Sequence, residues 1–170
     1  MSNIVFNFEA LYNIMRECVQ REICPDGLLE DVETFVPSYD TESRVEEPVV
    51  WMTQHPSRAE KQADISRTMD IITPFQFTCA VYKPDIEDAE LASQNLATRV
   101  ILCITRNLLS VQNELYGKRF ITTIGLETYY PVGEVNIVNK SEKLPATGVV
   151  LNVTHRINWE LCCKKINEEN

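Results

Sequence analysis

The chain has 170 residues, 44% of them hydrophobic and 24% charged, and a formal net charge of −9, which is the make-up of one ordinary globular domain able to bury its own core. No apolar run approaches the roughly 18–20 residues of a membrane span, and "MSNIVFNFEA" has neither the basic start nor the apolar stretch of a secretory leader, so neither export nor a bilayer is expected. The acidic balance also excludes a protein built to grip a polyanion, because phosphate binding needs clustered Lys and Arg.

The first expected element is a helix over residues 5–21. Ile4, Phe8, Leu11, Met15, Cys18 and Val19 recur at three- and four-residue steps, with Phe6, Tyr12 and Ile14 broadening the stripe. "CPDG" ends it, since Pro25 cannot continue a helix and Gly27 supplies turn freedom. Residues 22–47 then hold nine acids against the single base Arg44, while the rest of the chain holds 16 acids and 15 bases. Such a run reads first as a solvated connection, and second as an acidic surface facing another charged body. A short extra strand can form within it, in "ETFVP".

"PVVWMTQ" is a short strand. The polar stretch "HPSRAEKQADISRTMD" follows, carrying Arg58, Lys61 and Arg67, and reads as a hairpin arm or long loop. "DIITPFQFTCAVY" is the returning strand over residues 71–82, with Phe75, Phe77, Cys79 and Val81 on one face and Pro74 marking an edge or bulge near its beginning. The second helix is the strongest local signal. Asp85 stands as N-cap, and Glu87 and Asp88 complement the helix dipole. Ile86, Ala89, Ser93, Leu96, Val100, Cys103 or Ile104, and Asn107 or Leu108 mark its buried face. The nearly all-apolar run 100–104 predicts cover on more than one side.

The last third is β. "RFITTIGLETYYPVG" is a strand broken or bent at 131–133 before "EVNIVN", and "NKSEKLPATG" is a polar turn with Lys140 and Lys143. From Val149 to Leu161 every odd position is apolar except His155, so a strand of thirteen residues, about 43 Å at 3.3 Å each, closes the chain. That is longer than the usual ~5–6 residues, and its length predicts that one end reaches toward a neighbouring subunit. The whole is an α+β fold: a mostly antiparallel, mixed β-sheet flanked by two α-helices in the order α-β-β-α-β-β, with a long polar loop and hairpin arms, forming one domain over residues 1–170.

Candidate chemistry is sparse. Six cysteines lie largely within apolar periodic segments, without C-x-x-C, and read as small hydrophobes rather than a disulfide framework or zinc site. His155 tempts as a general base, but no nucleophile or motif accompanies it; a histidine hydrogen-bonded in a core or at a subunit boundary is the expected role. His55, beside Pro56, reads as surface. The pairs Asp85/Asp88 and Glu87/Glu90 are explained by the helix start. No G-x-G-x-x-G, P-loop, G-x-S-x-G or H-E-x-x-H occurs. No catalytic residue, cofactor or metal is expected, and the profile fits an assembly component better than an enzyme.

Taken together, "PFQFTCAVY" leading through an acidic cap into "DIEDAELASQNLATRVILCITRNLL", the hairpin with its polar loop, and the paired C-terminal strands ending in "GVVLNVTHRINWEL" resemble the tail terminator and tail completion proteins of long-tailed bacteriophages. The resemblance covers most of the chain and rests on the pattern of elements. It implies a ring of six copies that caps the tail tube and joins the tail to the head side. Its partners would be further copies of the chain, the tube protein, a neck or connector protein and, as a further candidate, the sheath. DNA would slide through an acidic channel without specific binding, and the protein would reside in the virion after assembly in the host cytoplasm. Arg58, Lys61, Arg67, Lys140, Lys143, Arg156 and Trp159 are the expected interface residues. A head–tail connector or other neck protein, and a non-viral soluble α+β binding or regulatory domain with a pocket between helix and sheet, are the alternatives.

Overall fold

The computed structural model describes residues 7–38, 45–60, 68–119, 121–136 and 143–158. The first helix, α1 (Asn7–Gln20), buries Ala10, Leu11, Ile14, Met15, Cys18 and Val19, the three- and four-residue steps of an apolar stripe. Phe8, expected in that stripe, stays 43% exposed. Beyond the helix, Gly27 N–H donates to the Cys24 carbonyl at 2.9 Å and Leu29 N–H to the Glu22 carbonyl at 3.0 Å. Asp26 takes a left-handed φ of 66°, which Asp tolerates better than bulkier residues.

Strands β1 (Thr34–Val36), β2 (Val49–Gln54), β3 (Arg58–Ala59) and β4 (Thr68–Ala80) precede helix α2 (Ile86–Tyr116), and β5 (Ile121–Asn136) and β6 (Lys143–Asn158) follow it. They form a six-stranded sheet in the order β1-β2-β4-β6-β5, with β3 pairing β4. Among the described residues only β1–β2 is parallel, and the other pairs are antiparallel. The fold is therefore α+β, with two helices and a mostly antiparallel mixed sheet. "ETFVP" does supply a strand, β1.

Period-two alternation decides what each strand offers to each face. Phe75, Phe77 and Cys79 of β4 and Val149, Leu151 and Val153 of β6 join the buried faces of both helices in one core. The helices thus share one side of the sheet. The opposite face buries a smaller cluster of Val45, Val49, Trp51, Ala80, Val135, Leu144 and Ala146. Pro74 lies in the middle of β4, opposite Asn152, not near its beginning. Its carbonyl accepts the His55 N–H at 2.9 Å, and in an antiparallel strand a residue's N–H and C=O point to the same side. The donor that proline lacks therefore falls at the break between β2, whose last partner is Phe75, and β3, whose first is Ile72.

α2 begins as expected: Asp85 Oδ1 accepts the N–H groups of Glu87 (3.0 Å) and Asp88 (3.2 Å). It ends at Gly117, whose φ of 64° is left-handed. Its middle is not covered all round. Val100, Cys103 and Ile104 are buried, Ile101 is half-buried, and Leu102, on the far side of the helix, is 49% exposed.

The C-terminal strands are longer than the sequence suggests. β5 bends through register shifts but remains one strand across Pro131 and Gly133, and β6 starts at Lys143, within the expected turn. β6 lies inside the sheet. Its residues pair with β4 from Ala146–Ala80 to Asn158–Thr68, and with β5 from Lys143–Asn136 to His155–Ile121. Its described length is thus taken up within its own chain, and none of it runs free toward a neighbour. Trp159 and Leu161 lie outside the described residues.

Candidate functional site

Even-numbered residues of β4 and β6 face away from the helices, and two of the expected interface cations meet at one end of that open face. Arg156 stands directly across from Asp70 and grips it with two bonds, Nε to Oδ1 at 2.7 Å and Nη2 to Oδ2 at 2.9 Å. This bidentate geometry holds the Asp70 carboxyl below its usual range and raises the Arg156 guanidinium. Arg58, opposite Ile72 on β3, reaches over β4 and β6 to Glu127 of β5 at 3.5 Å.

Lys143 sits at the other end. Its Nζ lies 3.0 Å from Glu134, and both side chains are more than half exposed, so this pair contributes little stability. Thirteen residues of β6 separate Lys143 from Arg156, about 43 Å at 3.3 Å per residue. The expected cations therefore do not form one patch: Arg58 and Arg156 share an end, Lys143 marks the opposite one, and each is ion-paired within its chain. Lys61, Arg67, Lys140 and Trp159 lie outside the described residues.

Between those ends the face carries, beside its small apolar cluster, a run of polar side chains. His55 Nε2 is 3.0 Å from Gln76 Oε1, and Gln76 Nε2 donates to Thr78 at 3.3 Å. His155 faces the helices instead. It is fully buried, as a core histidine should be, but neither ring nitrogen has a hydrogen-bond partner; its neighbour is Phe8.

Among the described residues no group of His, Cys, Asp or Glu could hold a metal ion. Cys18, Cys24, Cys79 and Cys103 are free thiols. Helix α2 and the start of β6 enclose a cleft of about 220 Å³ between Tyr82, Ile86, Leu144 and Pro145, smaller than the roughly 300–1,000 Å³ of a typical ligand pocket. No helix among the described residues is long and apolar enough to cross a membrane.

Sequence reasoning missed two exposed apolar tracts. Strand β5 closes one edge of the sheet and leaves Leu126 60%, Tyr129 41% and Tyr130 52% exposed. Its register shifts near Thr123, Thr128 and Gly133 scramble the alternation that would have revealed its faces. The second tract is Leu91, Leu102 and Leu109 on the outside of α2; there the signal was a regular spacing, obscured by the apolar run around it.

No family model matches the chain, and no curated protein matches it.

Proposed function

We propose that this protein is a structural subunit of a long-tailed bacteriophage virion, not an enzyme: six copies form a ring at the head-proximal end of the tail, end growth of the tail tube and join the tail to the neck. The reading starts from the order of elements, in which a helix, a hairpin with an arm, a long acid-capped helix and two paired long strands follow one another. The observation that carries it is the β5 edge. A sixteen-residue outer strand with Leu126, Tyr129 and Tyr130 exposed offers backbone groups and apolar area to a neighbour, and head-to-tail use of one edge repeats around a closed ring. The bulges guard that edge against indiscriminate pairing.

The charge distribution supports the same role. The acids at the start of α2 and those of residues 22–47 give the subunit a net negative field, and a ring of such subunits repels DNA phosphates so that the duplex slides through its channel. The partners are then the tube protein on one side and a neck protein on the other.

Light scattering on the purified protein, alone and with tail tubes, tests this. The ring expected on tubes adds a mass near 117 kDa to the tube, six subunits of 19.5 kDa each. A persistent monomer or dimer with tubes present overturns the reading.

A further inference from the structure

His155 is buried without a partner and is covered by the end of a helix. In the sheet register it lies between Ile71 of β4 and Ile121 of β5, and it is fully buried. A neutral imidazole has one N–H to donate and one nitrogen to accept, yet neither nitrogen is bonded. Its cover, the edge-on ring of Phe8, is 43% exposed and is followed by the exposed Glu9. Burial in α1 begins at Ala10 and Leu11.

A proton on His155 requires either an anion beside the ring or access to water. The elements around it bring Glu9 on α1, Asp70 on β4, Tyr116 and Lys118 at the end of α2, Arg119 ahead of β5, and Arg156 on β6 itself. Asp70 favours the charged ring, but its carboxylate is gripped by Arg156, and the three bases repel a further cation. Glu9 is exposed to solvent. Water is nearest through the helix end. The first N–H groups of a helix have no partner within it, and such ends open at little cost. The next turn is anchored: Tyr12 donates its hydroxyl to the Pro37 carbonyl at 2.8 Å, and Asn13 donates to the Tyr116 hydroxyl at 3.2 Å.

We propose that Phe8 is a pH-operated latch: a proton taken from solvent by His155 releases the first turn of α1 from the end of the sheet, while α1 from Ala10 onward and the strands stay in place. Burial lowers the His155 pKa in the closed state, whereas in the open state the wetted ring takes its proton near the ordinary pH ~6.5. The latch is therefore shut at neutral pH. Below pH ~6.5 the open fraction rises by up to about tenfold per pH unit, until the closed form also binds the proton. This local step needs no second copy and no ring.

The chain has two histidines, so proton NMR can follow both imidazoles, with His155→Leu assigning them. Amide exchange is read in parallel at Leu11 and Tyr12, whose N–H groups bond to the carbonyls of residues 7 and 8 in the helical pattern. From pH 7 to pH 5, after correction for intrinsic exchange, their protection should fall about tenfold or more in the wild type, with Val153 losing far less. His155→Leu should flatten that dependence. Phe8→Ala, which leaves the ring wet at every pH, should flatten it too and bring the His155 titration up to the ordinary ~6.5. Unchanged protection at Leu11 and Tyr12 in the wild type overturns the proposal. So does protection that rises in acid, which would mean that the face of Phe8 grips the charged ring, or an equal loss at Val153, which would mean that the whole fold opens. Should His155→Leu fail to fold, Phe8→Ala decides: a His155 that titrates alike with and without Phe8 overturns the latch.

Discussion

The ring of Phe8 stands edge-on to the imidazole of His155, with centroids 5.6 Å apart and planes at 89°. This contact fixes the first turn of α1 to the far end of β6. It also seals a histidine whose two nitrogens have no partner, so charging the ring in place is unfavourable.

Burial pushes the His155 pKa below its ordinary value, and the nearby Asp70 carboxylate offsets only part of that shift. The unfolded chain takes up this proton near pH 6.5, while the folded one resists until lower pH. His155 therefore contributes stability above pH ~6.5, and the contribution falls away as pH drops toward the folded-state value. Its steepest contribution is about 1.4 kcal/mol per pH unit. Denaturant unfolding at pH 8 and pH 5 should show His155→Leu losing less stability on acidification than the wild type. Equal losses would remove His155 as the source.

Glu22 ties the turn after α1 to α2. Its carboxylate accepts from Asn107 at 2.6 Å and from the Leu28 N–H at 3.0 Å, with Arg106 at 3.7 Å. The Asn107 bond leads in holding its pKa down. Replacing Glu22 by Ala takes the acceptor from the Leu28 N–H and leaves Asn107 only its longer bonds to the Cys103 and Cys18 carbonyls, which should cost about 1–3 kcal/mol at pH 7. Because its folded pKa is lowered, the difference between wild type and Glu22→Ala should persist above pH ~4.3 and shrink as pH falls through the folded value. A difference that stays constant into acid would mean that the charge is not what holds the turn.

Two glycines should respond oppositely to the same change. A Cβ on Gly27 runs into the Glu22 carbonyl, a backbone group locked by Leu29 N–H, so Gly27→Ala should cost about 1–3 kcal/mol. A Cβ on Gly148 meets the ring of Tyr130 at 3.2 Å; that ring is half exposed and can swing aside, so Gly148→Ala should stay within about 1 kcal/mol. Urea midpoints in the reverse order would contradict this account of both sites.

The thiols should divide by burial. Desolvation pushes Cys18 and Cys103 up to about 12 and raises Cys79 as well, which keeps them as unreactive thiols at neutral pH. Cys24 is exposed. Peptide mapping after brief alkylation of the native protein should find Cys24 modified well before the other three. Early labelling of Cys79 would show that the core opens more readily than its packing implies.

Much of this architecture was legible in the sequence because it follows from local rules. The stripe of α1, the Asp85 cap and the alternation through Phe75, Phe77 and Cys79 all appear where period and capping place them. Contacts between distant segments were not legible. The lone state of His155 depends on Phe8 from the other end of the chain. β6 begins at Lys143 despite its polar start and Pro145 because the far end of β5 pairs with it. The exposed tract of β5 was hidden by bulges, which break the period-two pattern that sequence reading relies on.

That tract carries the final prediction. Leu126, Tyr129 and Tyr130 are exposed, so substituting them stays near the ~0.5 kcal/mol of ordinary surface changes, while burial against a neighbour makes large aromatic side chains dominant contacts. Tyr129→Asp with Leu126→Asp should leave the unfolding midpoint nearly unchanged and prevent the large species from forming on tail tubes. Arg58→Glu gives a milder comparison. It breaks only a half-exposed pair with Glu127, worth under about 1 kcal/mol, and should weaken docking while the ring still closes. Normal assembly on tubes by the double Asp variant would take β5 out of the interface.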